Sequence, residues 1–165
     1  MDEVRIRPAE RRDAAAIAAI YNQAVVNSTA TFDTAAETTA EREAWLDEHT
    51  APQHPVLVAE RDGHVVGWAS LSRYSDRRAY VATVEVSAYV DENETGRGLG
   101  TALTMAVLDA GKAGGVHAVV SRICTENAAS LAMARKLGFF EVGLMREVGM
   151  KFERTLDVMW LEKLL

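Results

Sequence analysis

A strand, a glycine-rich loop and a helix follow one another in the middle of the chain, and this succession constrains the fold most. Thr83–Val90 alternates polar and apolar residues, as a half-buried strand does. Gly96, Gly98 and Gly100 follow, and then Thr101–Ala113 carries apolar residues at helical spacing. Glycines let a ligand approach the backbone, and a helix start offers unpaired N–H groups to an anion. The segment predicts a phosphate-binding loop, with a plain surface turn as the alternative.

The remaining elements predict the fold class. Further strands are predicted at Val4–Arg7, Val56–Glu60, His64–Ser70, Val116–Cys124, Phe139–Leu144 and Leu156–Leu164, and further helices from Asp13, from Thr38 and over Asn127–Leu137. Asp62-Gly63 is typical of a hairpin turn, and Thr38 with Glu41 forms a capping-box pattern. We expect an α/β or α+β fold: a mixed central β-sheet flanked by about four helices, as a single domain over residues 1–165.

Composition and charge exclude several classes of protein. Lys and Arg number 18 against 24 Asp and Glu, and a net charge of −6 argues against a nucleic-acid partner. The longest apolar run, Ala14–Tyr21, is too short for a membrane span, and Met1–Arg5 lacks the pattern of a signal peptide. A single cysteine, Cys124, suits a reducing compartment and is predicted to lie in the core. We therefore expect a cytoplasmic protein without a membrane partner, and the scattered histidines predict no metal site.

Several motifs, taken in their order, resemble the GNAT superfamily of N-acetyltransferases. Within it, they are most similar to the phosphinothricin and methionine sulfone/sulfoximine N-acetyltransferase group. The motifs are Ile6–Ala9, Ile20–Asn22, Phe32-Asp33, Trp45-Leu46, Pro55–Ala59, Thr83–Val90, Arg97–Gly100, Asn127–Leu131, Leu137–Phe139, Val148–Phe152 and Leu156-Asp157. The resemblance spans nearly the whole chain. It implies the GNAT fold and an enzyme that transfers an acetyl group from acetyl-CoA directly to the amine of a small amino-acid-like substrate.

The resemblance also implies where the acetyl donor binds. Its pyrophosphate is expected on the backbone N–H groups of Gly96, Arg97, Gly98, Leu99, Gly100 and Thr101. Its pantetheine arm is expected to pair with the backbone of Ala88, Tyr89 and Val90 and with the side chain of Asn127. Thr95 stands where the loop pattern of the family begins with Gln or Arg. We expect this departure to weaken the affinity for coenzyme A mildly and to leave the position of the site unchanged.

Glu85 lies on the strand that leads into the loop, where its carboxylate can accept the ammonium proton directly or through a water. Because Val84–Ser87 is similar to the base-bearing strand of the family, the resemblance implies that Glu85 is the general base. A solvent-exposed carboxylate or a salt bridge is the alternative. The residues expected to bind the acceptor are Ser75, Asp76, Arg77, Glu85, Val86 and Ser87. Arg77 is suited to a carboxylate, whereas Ser75 stands where the sulfone/sulfoximine enzymes have Arg. Phe32 is a candidate for closing the cleft, with a place in the core as the alternative.

Two further features bear on function. Ala134 stands where the group has a Tyr or His that donates a proton, so this general acid is missing. Arg146–Arg154 is predicted as a polar excursion that, by the resemblance, helps to form a homodimer. Two other functions stay open: a coenzyme-A-binding module without catalysis, which Ala134 and Thr95 favour, and acetylation of peptide or protein amino termini.

Overall fold

The central sheet is mixed, as the alternation of hairpins and helices predicts. The computed structural model describes residues 3–165; Met1 and Asp2, part of the segment without signal-peptide character, lie outside it. The strands are β1 (Arg5–Pro8), β2 (Val56–Arg61), β3 (His64–Arg73), β4 (Thr83–Val90), β5 (Ala118–Cys124), β6 (Phe140–Lys151) and β7 (Arg154–Leu164). The α-helices are α1 (Ala14–Asn27), α2 (Thr39–Glu48), α3 (Leu99–Ala113) and α4 (Ala128–Lys136). The strand order is β1-β2-β3-β4-β5-β7-β6.

The sheet opens in its middle, between β4 and β5. These two strands run parallel and pair at three positions, the last of which joins Glu85 to Val120. Beyond that pair β4 continues to Val90 and β5 to Cys124 without further pairing between them. The other neighbouring strands are antiparallel. The backbone of β4 after Glu85 is therefore available on one side to a bound molecule.

The two faces of the sheet carry separate apolar cores. One core joins α1 to Trp68, with Tyr89 packed against it. The other joins α3 to Leu71 and Val84. Alternate residues of β4 thus face opposite helices, as its sequence pattern predicts, and Glu85 lies on the same face as Tyr89. Within residues 3–165, no helix has the length and apolarity needed to cross a membrane.

Several predicted boundaries are wrong, among them the start of α3 and the end of β6. Helix α3 begins at Leu99 rather than Thr101, because Gly98 adopts a left-handed φ of 77° and serves as its N-cap. The predicted polar excursion at Arg146–Arg154 is instead the end of a hairpin, since β6 and β7 pair through it. Its turn places Phe152 and Glu153 at positive φ without the Asn-Gly or Asp-Gly signature that would have indicated it.

This hairpin is tied to the end of α1 by a buried lysine. The Nζ atom of Lys151 donates to the carbonyl oxygens of Ser28 at 2.7 Å and Thr31 at 2.8 Å. Burial lowers the pKa of Lys151, and the carbonyl oxygens beyond a helix end are suitable acceptors for its ammonium. Nearby, Phe32 packs so closely on Gly149 that an added Cβ would lie 2.1 Å from its ring. These contacts hold the segment after α1 in place against the β6–β7 hairpin.

Candidate active site

A cleft of about 520 Å³ lies where β4 and β5 part. Its walls come from β3, β4 and β5, the segment after α1, α2, and the start of α4. Of the residues predicted for the site, those that line it are Glu85, Val86, Ser87, Ala88, Tyr89 and Asn127. Phe32 lines it as well, in agreement with its predicted position. The fold therefore brings the predicted base into one cavity with Ala88, Tyr89 and Asn127, whereas Val90, also predicted to bind pantetheine, does not line it.

The part of the cleft where the acetyl donor is expected, the donor half, lies between the free side of β4 and the start of α4. Asn127 caps α4, where its Oδ1 accepts from the backbone N–H of Ser130 at 3.2 Å. Its side-chain N–H groups thus remain available as donors toward the cleft. Cys124, across the opening from β4, is buried as predicted. A molecule lying along β4 here would meet backbone groups on one side and the Asn127 amide on the other.

The glycine loop lies between the end of β4 and the start of α3. Gly96 and Gly98 both have a φ of 77°, and a Cβ added at either would meet nothing within 4 Å. No side chain caps α3 at Gly98, so the N–H groups of its first turn keep their hydrogen-bonding capacity. The Thr95 hydroxyl donates to the carbonyl of Glu92 at 3.2 Å and is thus engaged within the loop. An open, uncapped helix start of this kind fits a pyrophosphate.

Glu85 lies at the narrow end of the opening in a salt bridge. Nη2 of Arg122, on β5, is 2.9 Å from Oε1 and 2.7 Å from Oε2 of Glu85. The Glu85 side chain is 25% exposed, and Ser72 is its cross-strand partner on β3. The salt bridge that the sequence left open as an alternative is therefore present, and it lies inside the cleft. Sequence analysis did not single out Arg122.

The part of the cleft where the acceptor is expected, the acceptor half, has a wall of aromatic rings. The four rings belong to Tyr21, Trp45, Trp68 and Tyr89. The Arg42 guanidinium, which is 3% exposed, stacks on the first three and pairs with Glu37. Burial raises the pKa of Tyr89 to about 12, so its hydroxyl stays protonated near neutral pH. Sequence analysis missed Arg42, although its position three residues before Trp45 on a helix places the two side chains together.

His49, at the end of α2, uses both nitrogens of its ring beside the cleft. Nδ1 lies 2.7 Å from the carbonyl oxygen of Trp45, and Nε2 lies 2.8 Å from Oγ of Ser72. Because a carbonyl oxygen only accepts, Nδ1 carries the proton and Nε2 accepts from the Ser72 hydroxyl. Burial is the main cause that lowers the pKa of His49. The neutral ring thus orients Ser72, the cross-strand neighbour of Glu85.

We expect acid to destabilise the fold through His49. The pKa of His49 is lowered in the folded chain, so between that value and 6.5 the unfolded chain binds more protons. Stability is full above pH 6.5 and is lost as the pH falls below it, by up to about 1.4 kcal/mol per pH unit for one proton. Urea denaturation at pH 7.5 and 5.5 measures the loss, which should shrink in His49→Gln. The exposed His64→Gln is the control, and an equal loss in all three proteins would contradict the expectation.

Comparison with known proteins decides the family. A family model described as an acetyltransferase (GNAT) domain matches residues 6–160. The chain belongs to the GNAT acetyltransferase family. It is 39% identical over 158 residues to an L-methionine sulfoximine/L-methionine sulfone acetyltransferase of Pseudomonas aeruginosa, covering 95% of this chain and 92% of the relative. It is 35% identical to a phosphinothricin N-acetyltransferase of Streptomyces coelicolor, covering 98% and 96%.

A solved structure confirms the predicted GNAT fold. A GNAT superfamily phosphinothricin acetyltransferase from Sinorhizobium meliloti, in complex with acetyl-CoA, superimposes with a TM-score of 0.94 at 31% identity. The match covers 98% of this chain and 88% of the other. The family and the mixed sheet flanked by four helices were thus predicted correctly from the sequence.

The residues predicted to bind the acceptor are divided between two cavities of this GNAT acetyltransferase. Ser75 and Arg77 line a second cavity of about 400 Å³, which also contains Trp160. Asp76 lines neither cavity; it is 92% exposed and pairs with Arg73. The fold therefore separates the Ser75–Arg77 loop from Val86 and Ser87 and places Asp76 at the surface.

Ala134 lies in the wall of the main cleft and offers no polar atom there beyond its backbone. The Ala134 side chain therefore cannot act as a general acid in the cleft. Within residues 3–165, no cluster of three or more His, Cys, Asp or Glu could hold a metal ion.

Proposed function

We propose that this acetyltransferase acetylates the amine of a small amino-acid-like acceptor, such as methionine sulfone, methionine sulfoximine or phosphinothricin, by direct transfer from acetyl-CoA. The observation that carries the proposal is the position of Glu85, inside the cleft where β4 and β5 part. The names of the relatives from P. aeruginosa and S. coelicolor support the class of acceptor.

Backbone groups of α3 and β4 hold the acetyl donor. The first-turn N–H groups of α3, after Gly98, bind the pyrophosphate, and the free edge of β4 from Ala88 to Val90 pairs with the pantetheine arm. Asn127 donates to that arm from the opposite side. When bound, acetyl-CoA supplies an acetyl group activated as a thioester. These residues orient it toward the acceptor half of the cleft.

Glu85 accepts the proton of the acceptor's ammonium group, which frees the amine lone pair. A backbone N–H of β4 near Ala88 stabilises negative charge on the carbonyl oxygen under attack. Ala134 donates no proton to the departing thiolate. A thiol has a pKa of about 8.5, so its thiolate leaves at neutral pH without a dedicated acid.

Thiol release by the purified protein with acetyl-CoA tests this function. The acceptor panel contains methionine sulfone, methionine sulfoximine, phosphinothricin, free amino acids, polyamines and short peptides. We expect release with the amino-acid-like acceptors. Saturable coenzyme A binding by calorimetry without turnover on any acceptor would support the binding-module alternative, which Ala134 favours. Turnover on peptides alone would support acetylation of amino termini.

We also propose a homodimer formed along β6. This strand is at the edge of the sheet and exposes large apolar side chains. They are Phe140, Val142, Leu144, Met145, Val148 and Met150. An apolar edge strand of this length is an aggregation risk unless another chain covers it, and a second copy covers it symmetrically.

We expect light scattering after size exclusion to give the mass of two chains. Leu144→Glu should shift the protein toward one chain, because it places a charge in the proposed interface. Val26→Glu, at an exposed position on α1, is the matched control and should keep the wild-type mass. A single-chain mass for the wild type at micromolar concentration would contradict the dimer.

The cytoplasm is the proposed location, because the reaction needs a compartment that contains acetyl-CoA and the unpaired Cys124 thiol fits reducing conditions. We further propose that residues 1–165 act as one domain. The single sheet, whose strands run from Arg5 to Leu164, supports this.

A further inference from the structure

The salt bridge between Glu85 and Arg122 has an unusual position in the molecule. Both residues line the main cleft, and both also line the second cavity, beside Arg77 and Trp160. The pair is therefore the partition between the two cavities. A small acceptor that reaches Glu85 from either cavity meets the guanidinium of Arg122 at the same time.

One nitrogen of Arg122 makes the whole contact with Glu85. Nη2 lies within 2.9 Å of both carboxylate oxygens. In residues 3–165, Nε and Nη1 of Arg122 make no hydrogen bond, so the fork of the guanidinium keeps donors for a second carboxylate. The ring of Trp160, 5.5 Å from the guanidinium carbon, supports its flat face.

We propose that Arg122 binds the carboxylate of an α-amino acid acceptor while Glu85 binds its ammonium group. The inference rests on the proposed function and names the residue that recognises the carboxylate of its acceptor. An α-amino acid carries opposite charges on the two groups attached to one carbon. A Glu and an Arg in direct contact present the complementary charges at matching separation. Binding replaces one protein salt bridge by two contacts with the substrate.

Arg122 and Glu85 can exchange each other for the charged groups of the substrate because neither side chain is fully buried. The Arg122 side chain is 51% exposed and that of Glu85 is 25% exposed. An ion pair with this exposure contributes little to stability, so opening it costs little. The exchange also releases the Glu85 oxygens from Nη2, and a carboxylate with free oxygens is the form that can accept the ammonium proton. An amine that lacks a carboxylate offers Arg122 no new partner, so the salt bridge between Arg122 and Glu85 stays closed.

Arg77 is the competing candidate, since it was the sequence-based prediction for the carboxylate and lines the second cavity. It does not line the main cleft, where Glu85 meets the backbone of β4. A carboxylate held by Arg77 would therefore lie on the far side of the partition. This difference in position lets substitutions at the two arginines separate the alternatives.

The test compares methionine sulfone with its amide, which has the same amine and side chain but no carboxylate. We measure kcat/KM for both acceptors and their binding by calorimetry in wild type, Arg122→Gln, Arg122→Lys and Arg77→Gln. Arg11→Gln is the matched control: an exposed arginine, paired with Glu43 and Asp47, away from both cavities. Circular dichroism checks that each variant is folded.

We expect wild type to prefer the acid over the amide by about tenfold in kcat/KM, the effect of one charge-assisted contact. In Arg122→Gln we expect the preference to disappear because kcat/KM falls for the acid and stays the same for the amide. Arg122→Lys should keep part of the preference, and Arg11→Gln should keep all of it. An equal loss for acid and amide in Arg122→Gln, or loss of the preference in Arg77→Gln instead, would overturn the assignment. Failure of the proposed function is a different result: no turnover of either acceptor by any of the proteins. If there is no turnover and wild type binds the acid and the amide with equal affinity, the assignment of Arg122 to the carboxylate is also overturned.

Discussion

Glu85→Gln should lower kcat/KM by about 10²- to 10⁴-fold at pH 7, the usual contribution of a general base. At this pH the acceptor amine is protonated, and the amide of Gln cannot take its proton. The loss should shrink as the pH rises toward 9.5, because free amine then accumulates without the base. Thiol release measured from pH 6.5 to 9.5 in both proteins gives the ratio directly. The substitution preserves shape and leaves an amide oxygen for Arg122, so the cleft keeps its form.

Glu48→Gln is the control for the loss of one negative charge, since Glu48 is exposed at the end of α2. Its kcat/KM should equal that of wild type at every pH from 6.5 to 9.5. If Glu85→Gln lost the same factor across the whole pH range, Glu85 would bind or orient the acceptor without taking its proton. If Glu85→Gln were fully active, the base would have to be sought elsewhere along the cleft.

The parts of the fold that sequence patterns predicted correctly are those with local causes. Asp62-Gly63 forms the turn between β2 and β3, because both positions tolerate positive φ. Thr38 and Glu41 form the capping box at the start of α2. The alternation along β4 places Glu85 on the face opposite the α3 core. Each of these features depends only on residues that are close together in the sequence.

Two of the contacts that sequence patterns missed join residues distant in the chain. Arg122 meets Glu85 because β5 pairs in parallel with the first residues of β4. His49 reaches Ser72 because α2 packs over β3. An exposed arginine on a strand and a lone histidine on a helix have no local signal for such partners. The resemblance to a family also did not point to them, since Arg122, His49 and Ser72 all lie outside the motifs that carry it.

Gly98→Val should weaken acetyl-CoA binding by at least about 10²-fold, the combined effect of losing or weakening two charge-assisted hydrogen bonds of ~1.5–3 kcal/mol each. At this position φ is 77° and nothing lies within 4 Å of an added Cβ, so the new side chain would extend into the open space before α3. That space is the approach of the pyrophosphate to the first-turn N–H groups. Calorimetry with coenzyme A measures the dissociation constant, and steady-state kinetics should show a raised KM for acetyl-CoA.

Gly63→Val is a matched control from the same chain. Gly63 has a φ of 79° and likewise nothing within 4 Å of an added Cβ, but it lies in the turn between β2 and β3. Valine at either position adopts an unfavourable left-handed conformation, which costs roughly 1–2 kcal/mol of stability. We therefore expect similar losses in urea denaturation but a changed coenzyme A affinity in Gly98→Val alone. Equal coenzyme A affinities in the two variants would show that the loop before α3 does not bind the pyrophosphate, and the proposed orientation of the donor along β4 would fail with it.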